Sequence, residues 1–177
     1  ISVVGLIWED DIDRLFYNYQ TVAIALIIFG ILFIVIENKH KNKVAKINSI
    51  DEITFKTAFL IGLFQLIAAV FPGTSRSGAT ILGGLMLSMS RTVAAEFTFF
   101  LAVPVMFGAS LLKMVKFGFD FKVDEIGILI SGLITAFVVS ILAIKFLIGY
   151  IQKNDFKIFG WYRIVLGLLV LGYFWLF

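Results

Sequence analysis

The sequence predicts an all-α integral membrane protein, a polytopic helical bundle that carries one re-entrant helix–loop–helix hairpin. Three observations carry that reading. Of the 177 residues 60% are hydrophobic and only 15% are charged, against roughly a quarter charged in soluble domains, and the mean hydropathy is +1.02. Four runs, 19–36, 92–115, 125–149 and 159–177, approach the ~20 apolar residues that cross a bilayer core as a helix. A fifth apolar region, 55–90, is broken near its centre by Pro72-Gly73 and a Ser/Arg cluster. With two Pro and no Cys, the chain fits a bundle without disulfides or a thiolate metal site. Residues 1–177 read as one membrane domain.

The elements follow in chain order. Ile1 to Trp8 is a short apolar run without a basic n-region, and Glu9, Asp10, Asp11 and Asp13 follow at once. It has the look of a helix tail whose beginning is absent, so the chain reads as truncated at its N-terminus. The first span, 19–36, starts beside Tyr17 and Tyr19 and ends in a basic stretch. The net charge of +3 raises a nucleic-acid partner, but five lysines between Lys39 and Lys56 share one loop between apolar runs. A cytoplasmic loop explains the bias, and no nucleic acid is implied. His40, the only histidine, is expected to be solvated in that loop.

Charge then orients the set. The acidic Glu9–Arg14 stretch lies outside and the basic loop inside, so the first span runs inward. A hairpin at 55–90 entering from the inside lets the 92–115 span run outward and the 125–149 span return. Lys145, Lys153 and Lys157 then gather inside, and the C-terminus lies outside. Trp161 and Tyr162 mark one interface and Tyr173 and Trp175 the other, as an aromatic belt requires. Lys145 and Arg163 fall near inner helix ends, where snorkelling explains them.

The hairpin reads as two half-helices, 55–71 and 79–89, joined by Pro72-Gly73-Thr74-Ser75-Arg76-Ser77-Gly78. Pro72 ends the first half-helix, and Gly73 permits backbone conformations closed to other residues. Ser75, Ser77 and Thr80 bring hydroxyls, and Gly78 admits close approach. The second half-helix starts near Ala79, turning its N–H groups and dipole toward the loop and favouring an anion. Arg76 adds a fixed charge whose fork matches phosphate oxygens. A plain capping turn would need the hydroxyls but not an intramembrane arginine, and such a residue reads as functional by default. Glu96 is assigned either an ion pair, with Arg91 or Arg76, or a part in the site. Arg91 is read as snorkelling to the inner interface, and Gln65 as hydrogen-bonding a neighbouring helix. Gly78, Ala79, Gly83 and Gly84 give the second half-helix a small-residue face for close packing.

Four segments together, Phe-Pro-Gly-Thr-Ser-Arg-Ser-Gly-Ala-Thr-Ile (71–81), Leu-Ser-Met-Ser-Arg (87–91), Ala-Ala-Glu-Phe-Thr-Phe-Phe-Leu-Ala-Val-Pro (94–104) and Trp-Tyr-Arg-Ile (161–164), resemble undecaprenyl-diphosphate phosphatases of the bacitracin-resistance type. The resemblance implies an inverted-repeat enzyme of the bacterial plasma membrane. It would hydrolyse undecaprenyl diphosphate on the outer face, recycling the lipid carrier for cell-wall synthesis. By that match Ser75, Arg76 and Thr80 are assigned to catalysis; from the loop and spans themselves, Gly73, Thr74, Ser77 and Gly78 are expected against the substrate, with Glu96, Arg91 and Gln65 in support. The expected partners are the polyprenyl diphosphate and membrane lipids, and a homo-oligomer stays open. A divalent cation, Mg2+ or Ca2+, is implied, held by paired glutamates of an N-terminal motif that nothing in 1–56 matches. The chain is therefore expected to lack roughly the first third of the family's length, to hold no metal by itself and to be inactive alone. The rival reading is a broken-helix transporter or polyprenyl-phosphate flippase, in which Arg76 binds without hydrolysis.

Overall fold

The computed structural model describes residues 16–41, 44–117 and 123–176. The apolar start, the acidic run Glu9–Arg14 and Lys43 lie outside the described residues. The described residues form six helices: α1 Tyr19–Lys41, α2 Phe55–Val70, α3 Arg76–Met86, α4 Arg91–Phe117, α5 Val123–Lys153 and α6 Lys157–Leu176, with a 3-10 turn at Ile50–Glu52. The protein is all-α and polytopic in composition. Among the described residues four helices, α1, α4, α5 and α6, are long and apolar enough to cross a membrane, and they overlap the four runs read from the sequence.

The hairpin is α2 and α3. At a rise of ~1.5 Å per residue, helices of 16 and 11 residues reach about 24 and 16 Å, short of a ~30 Å hydrocarbon core. The Thr54 hydroxyl caps α2 by accepting from the Thr57 N–H at 3.2 Å. Pro72 and Gly73 stop it, and Gly73 sits at φ +90, where only glycine rests without strain. The second half-helix begins at Arg76, three residues before the position expected from the sequence, because Ser75 serves as its N-cap. It ends in a tight turn, where the Met89 N–H bonds the Gly84 carbonyl at 3.0 Å. Part of the basic loop is laid along that turn: the Lys46 N–H donates to the Ser88 carbonyl at 2.8 Å, and the Ser90 N–H to the Ile47 carbonyl at 2.9 Å.

Small residues set the packing. A Cβ on Gly30 of α1 would stand 2.7 Å from the Gly160 carbonyl of α6, and one on Gly167 would stand 2.8 Å from the Ala23 carbonyl. The order of these contacts makes α1 and α6 antiparallel neighbours with touching backbones, the usual device where no hydrophobic effect drives helices together. The second hairpin helix is the centre of the bundle, with every residue from Gly78 to Leu85 buried. Gly83 admits the Phe64 ring of α2, and Gly84 admits Ala94 of α4, so the small face read from the sequence does pack. Ile81, Leu82 and Leu85 join Phe33, Ala95, Ile151 and Phe156 in one apolar cluster. By contrast, none of the apolar window of α5 is buried, and side chains such as Phe137, Leu142 and Phe146 are exposed, as suits a helix in an apolar solvent.

Two contacts fix the level of the loop within the bundle. Gly73 packs on Val22, in the first turn of α1. Arg91, at the start of α4, instead pairs with Glu37 near the other end of α1. The hairpin loop therefore lies at the end of the bundle opposite Lys39 and Arg91.

Candidate active site at the hairpin loop

The site is built around the first turn of α3. Ser75 precedes it at φ 59, ψ 118, a backbone conformation costly for a non-glycine residue, of order 1–3 kcal/mol. The strain is held by local bonds. The Ser75 Oγ accepts from the Gly78 N–H at 3.2 Å and lies 3.2 Å from the Ser77 Oγ. Ala79 completes the turn by donating to the Ser75 carbonyl at 3.0 Å. The N–H groups of Arg76 and Ser77, the first two of the helix, have no intrahelical acceptor, as at any helix start.

Arg76 is exposed and makes no ion pair or hydrogen bond among the described residues. It lines a cavity of about 250 Å3 with Gln65, Ser77, Thr80 and Thr98. A second cavity, of about 150 Å3, lies across the same turn and holds Ser75, Ser77, Gly78 and Arg163. Ser77 and Thr98 line both. Two larger apolar grooves, of about 510 and 720 Å3, contain no part of the 71–78 loop.

The residues expected to act together divide. Ser75, Arg76, Ser77, Gly78 and Thr80 do converge on the two cavities. Thr80 is buried, and its hydroxyl faces the Arg76 and Ser77 carbonyls at 3.1 and 3.0 Å while accepting from the Thr98 hydroxyl at 3.0 Å. Its proton is committed to the helix, so it steadies the turn. Gly73 and Thr74 line neither cavity. Gly73 is pressed against the α1 backbone, and the buried Thr74 turns its hydroxyl back to the Phe71 carbonyl at 2.8 Å. Among the described residues Gln65 makes no hydrogen bond to a neighbouring helix; it lines the cavity beside Arg76.

The supporting charges are arranged differently from the expectation. Arg91 pairs with Glu37, not with Glu96. Glu96 lines the 720 Å3 groove instead, because it lies ~200° around α4 from Thr98, which faces the cavity. Glu37 is fully buried, and its second oxygen, Oε2, has no hydrogen-bond partner among the described residues. His40, expected to be solvated, is buried, 8% exposed, since α1 continues to Lys41 and carries it into the bundle.

Arg163 is the main residue that the sequence reading misplaced. It does not snorkel to an interface. Its Nη1 donates to the Thr74 carbonyl at 2.9 Å, and its guanidinium carbon lies 5.6 Å from the Phe33 ring centroid, within cation–π range. It brings a second guanidinium to the loop from α6. A signal was present: an arginine inside an apolar span is a functional candidate by the same rule that singled out Arg76. Glu37 escaped because the first apolar run ends one residue before it, which assigned it to the loop.

The arrangement can neutralise and orient a polyanion through two guanidinium groups, free N–H groups and two serine hydroxyls. Among the described residues no three His, Cys, Asp or Glu side chains stand close enough to hold a metal ion, and no carboxylate or imidazole lines either loop cavity. The described residues alone therefore offer no donor set for a divalent cation.

Known proteins resemble the chain over nearly its whole length. The family model described as bacitracin resistance protein BacA matches residues 1–169. The undecaprenyl-diphosphatase of Desulfitobacterium hafniense is 69% identical over 173 residues, which are 98% of this chain and 62% of that protein. Undecaprenyl-diphosphatase 1 of Clostridium acetobutylicum is 68% identical over 98% of this chain and 63% of its own length. An undecaprenyl-diphosphatase of Enterococcus faecalis is 55% identical over 99% of this chain and 64% of its own length. The chain thus spans somewhat over three fifths of these relatives, and matches over nearly its whole length lend no support to the expectation that it is inactive. A family model that covers all but the last residues, on a chain with this loop, leaves one assignment: the protein belongs to the bacitracin resistance protein BacA family.

Proposed function

We propose that the protein hydrolyses undecaprenyl diphosphate to undecaprenyl phosphate and inorganic phosphate, and so returns the lipid carrier to cell-wall synthesis and supports bacitracin resistance. The observation that carries this reading is Arg76, a guanidinium without a partner among the described residues, at the start of a buried helix and facing a cavity with Ser77 and Gln65. An unpaired cation there is a site for an anion, and the relatives' names supply the anion's identity.

Water attacks the terminal phosphorus, the bridging P–O bond breaks, and the bridging oxygen leaves on the lipid monophosphate. The part of this chain in that step is electrostatic. Arg76 neutralises charge on the phosphoryl oxygens, where preorganised donors act most strongly. The Arg76 and Ser77 N–H groups and the Ser77 hydroxyl orient the same oxygens. Ser75 holds the turn and can donate to phosphate, while Thr80 and Thr98 act as positioning residues. Arg163 fixes the loop through the Thr74 carbonyl and adds positive potential.

The reading extends to the bacterial plasma membrane, with the hairpin re-entrant and its site open to the outer side. The loop lies level with Val22, at the end of the bundle opposite the basic stretch that begins at Lys39, and basic segments stay inside. The test is phosphate release from undecaprenyl diphosphate by the full-length protein in detergent micelles. Arg76→Ala is expected to lower turnover by roughly 10²–10³-fold, the usual cost of losing one preorganised donor. Arg76→Lys is expected to recover only part of it, since it keeps the charge and loses the fork. Unchanged turnover in a well-folded Arg76→Ala protein would refute the role.

A further inference from the structure

The 510 Å3 groove has a chemistry of its own. Phe29, Leu32, Ile36 and Lys39 of α1 line it at i, i+3, i+7 and i+10, which is one helix face about 15 Å long. Phe64 of α2 and Leu82 of α3 close the other walls. At one end the apolar trough meets Lys39 and His40. Lys39 is exposed and makes no ion pair or hydrogen bond among the described residues. The volume falls in the range of ligand pockets, on the order of 300–1,000 Å3.

An apolar trough capped by an unpaired cation at the membrane boundary is complementary to one acyl chain beneath an anionic head group. We infer that the groove binds an anionic phospholipid of the inner leaflet, its phosphate on Lys39 and a fatty-acyl chain along Leu32, Ile36 and Leu82. Charge complementarity selects this occupant over a zwitterionic lipid. Position separates it from the diphosphate site: Lys39 stands 17 residues along α1 from Val22, about 25 Å, at the far end of the bundle from Arg76. The groove lies against the face of α3 turned away from Thr80, so a bound chain buttresses the helix that presents the loop.

Native mass spectrometry and thermal melting of the delipidated full-length protein, titrated with phosphatidylglycerol or phosphatidylcholine, test this. The wild type is expected to retain phosphatidylglycerol and to melt higher with it than with phosphatidylcholine, a preference weakened by 0.5 M salt, at which the screening length falls to about 4 Å. Lys39→Gln is expected to lower the phosphatidylglycerol affinity about fivefold, as for loss of one basic contact. Leu32→Trp, at a half-exposed position that leaves the core intact, is expected to fill the trough and abolish retention of either lipid. Equal binding of the two lipids by the wild type, an unchanged preference in Lys39→Gln, or retention in Leu32→Trp would each overturn the assignment. Displacement of the phospholipid by undecaprenyl phosphate at equal concentration would overturn it too, by making the groove a substrate channel.

Discussion

Removing Arg91 should cost this protein far more stability than neutralising its partner Glu37. The Glu37 side chain is completely buried, that of Arg91 is 30% exposed, and Oε2 of Glu37 has no hydrogen-bond partner among the described residues. Arg91→Met therefore strands a carboxylate in an apolar interior, and breaking a buried pair in this way costs about 3–5 kcal/mol. Glu37→Gln instead leaves a guanidinium that can turn toward the interface, and loses one charge-assisted hydrogen bond of about 1.5–3 kcal/mol, partly recovered by the amide oxygen. The double variant Glu37→Gln/Arg91→Met has no buried charge, so it should be more stable than Arg91→Met alone, with a coupling of at least ~1 kcal/mol. Thermal melting of the four proteins in one detergent reads this directly; each ~1 kcal/mol corresponds to about 2–4 °C for a chain of this size. If Arg91→Met melts no lower than Glu37→Gln, or if the double variant simply adds the two losses, the pair is not the buried lock described above.

Three further outcomes follow from the geometry. Ser75→Ala should destabilise by about 1–2 kcal/mol, because it removes the cap and keeps a side chain at positive φ, whereas Ser75→Gly should cost only a few tenths, and the two melting curves decide it. Gly160→Ala drives a Cβ to 2.7 Å from the Gly30 carbonyl; it should lower stability by about 1–3 kcal/mol through overpacking, seen as a lower melting temperature, while Gly172→Ala, with open space around it, should change nothing measurable. Arg163→Met should leave the fold intact but free the Thr74 carbonyl, raising KM for the diphosphate about tenfold, a loss of one charged hydrogen bond, in a phosphate-release assay.

Much of the architecture was legible in the residues. Membrane helices must satisfy their own backbone bonds, so an uninterrupted apolar run announces α1, α4, α5 and α6 without help from tertiary contacts. Pro72-Gly73 and Arg76 announced the hairpin because neither is tolerated in lipid without a reason. The half-helix boundary slipped by three residues because Ser75, whose hydroxyl could cap or bind, does cap. Gly83 and Gly84 were readable as packing residues, whereas Gly30 and Gly160 were not, since a single glycine acquires meaning only from the backbone that faces it.

The site shows the same division. The sequence alone determined which residue types gather at 71–80 and raised a phosphate as their ligand, because charge, hydroxyls and a helix start are local properties. Tertiary structure decided which of them face a cavity. It turned Gly73 and Thr74 to structural work against α1 and Phe71, and committed the Thr80 hydroxyl to its own helix. It sent Glu96 to the far side of α4, gave Arg91 to Glu37, and brought Arg163 from 89 residues away to the Thr74 carbonyl. The physical reason is rotation and register: at ~100° per residue, a two-residue offset reverses the face of a helix, and only the packing of α1, α4 and α6 around α3 fixes which face meets which.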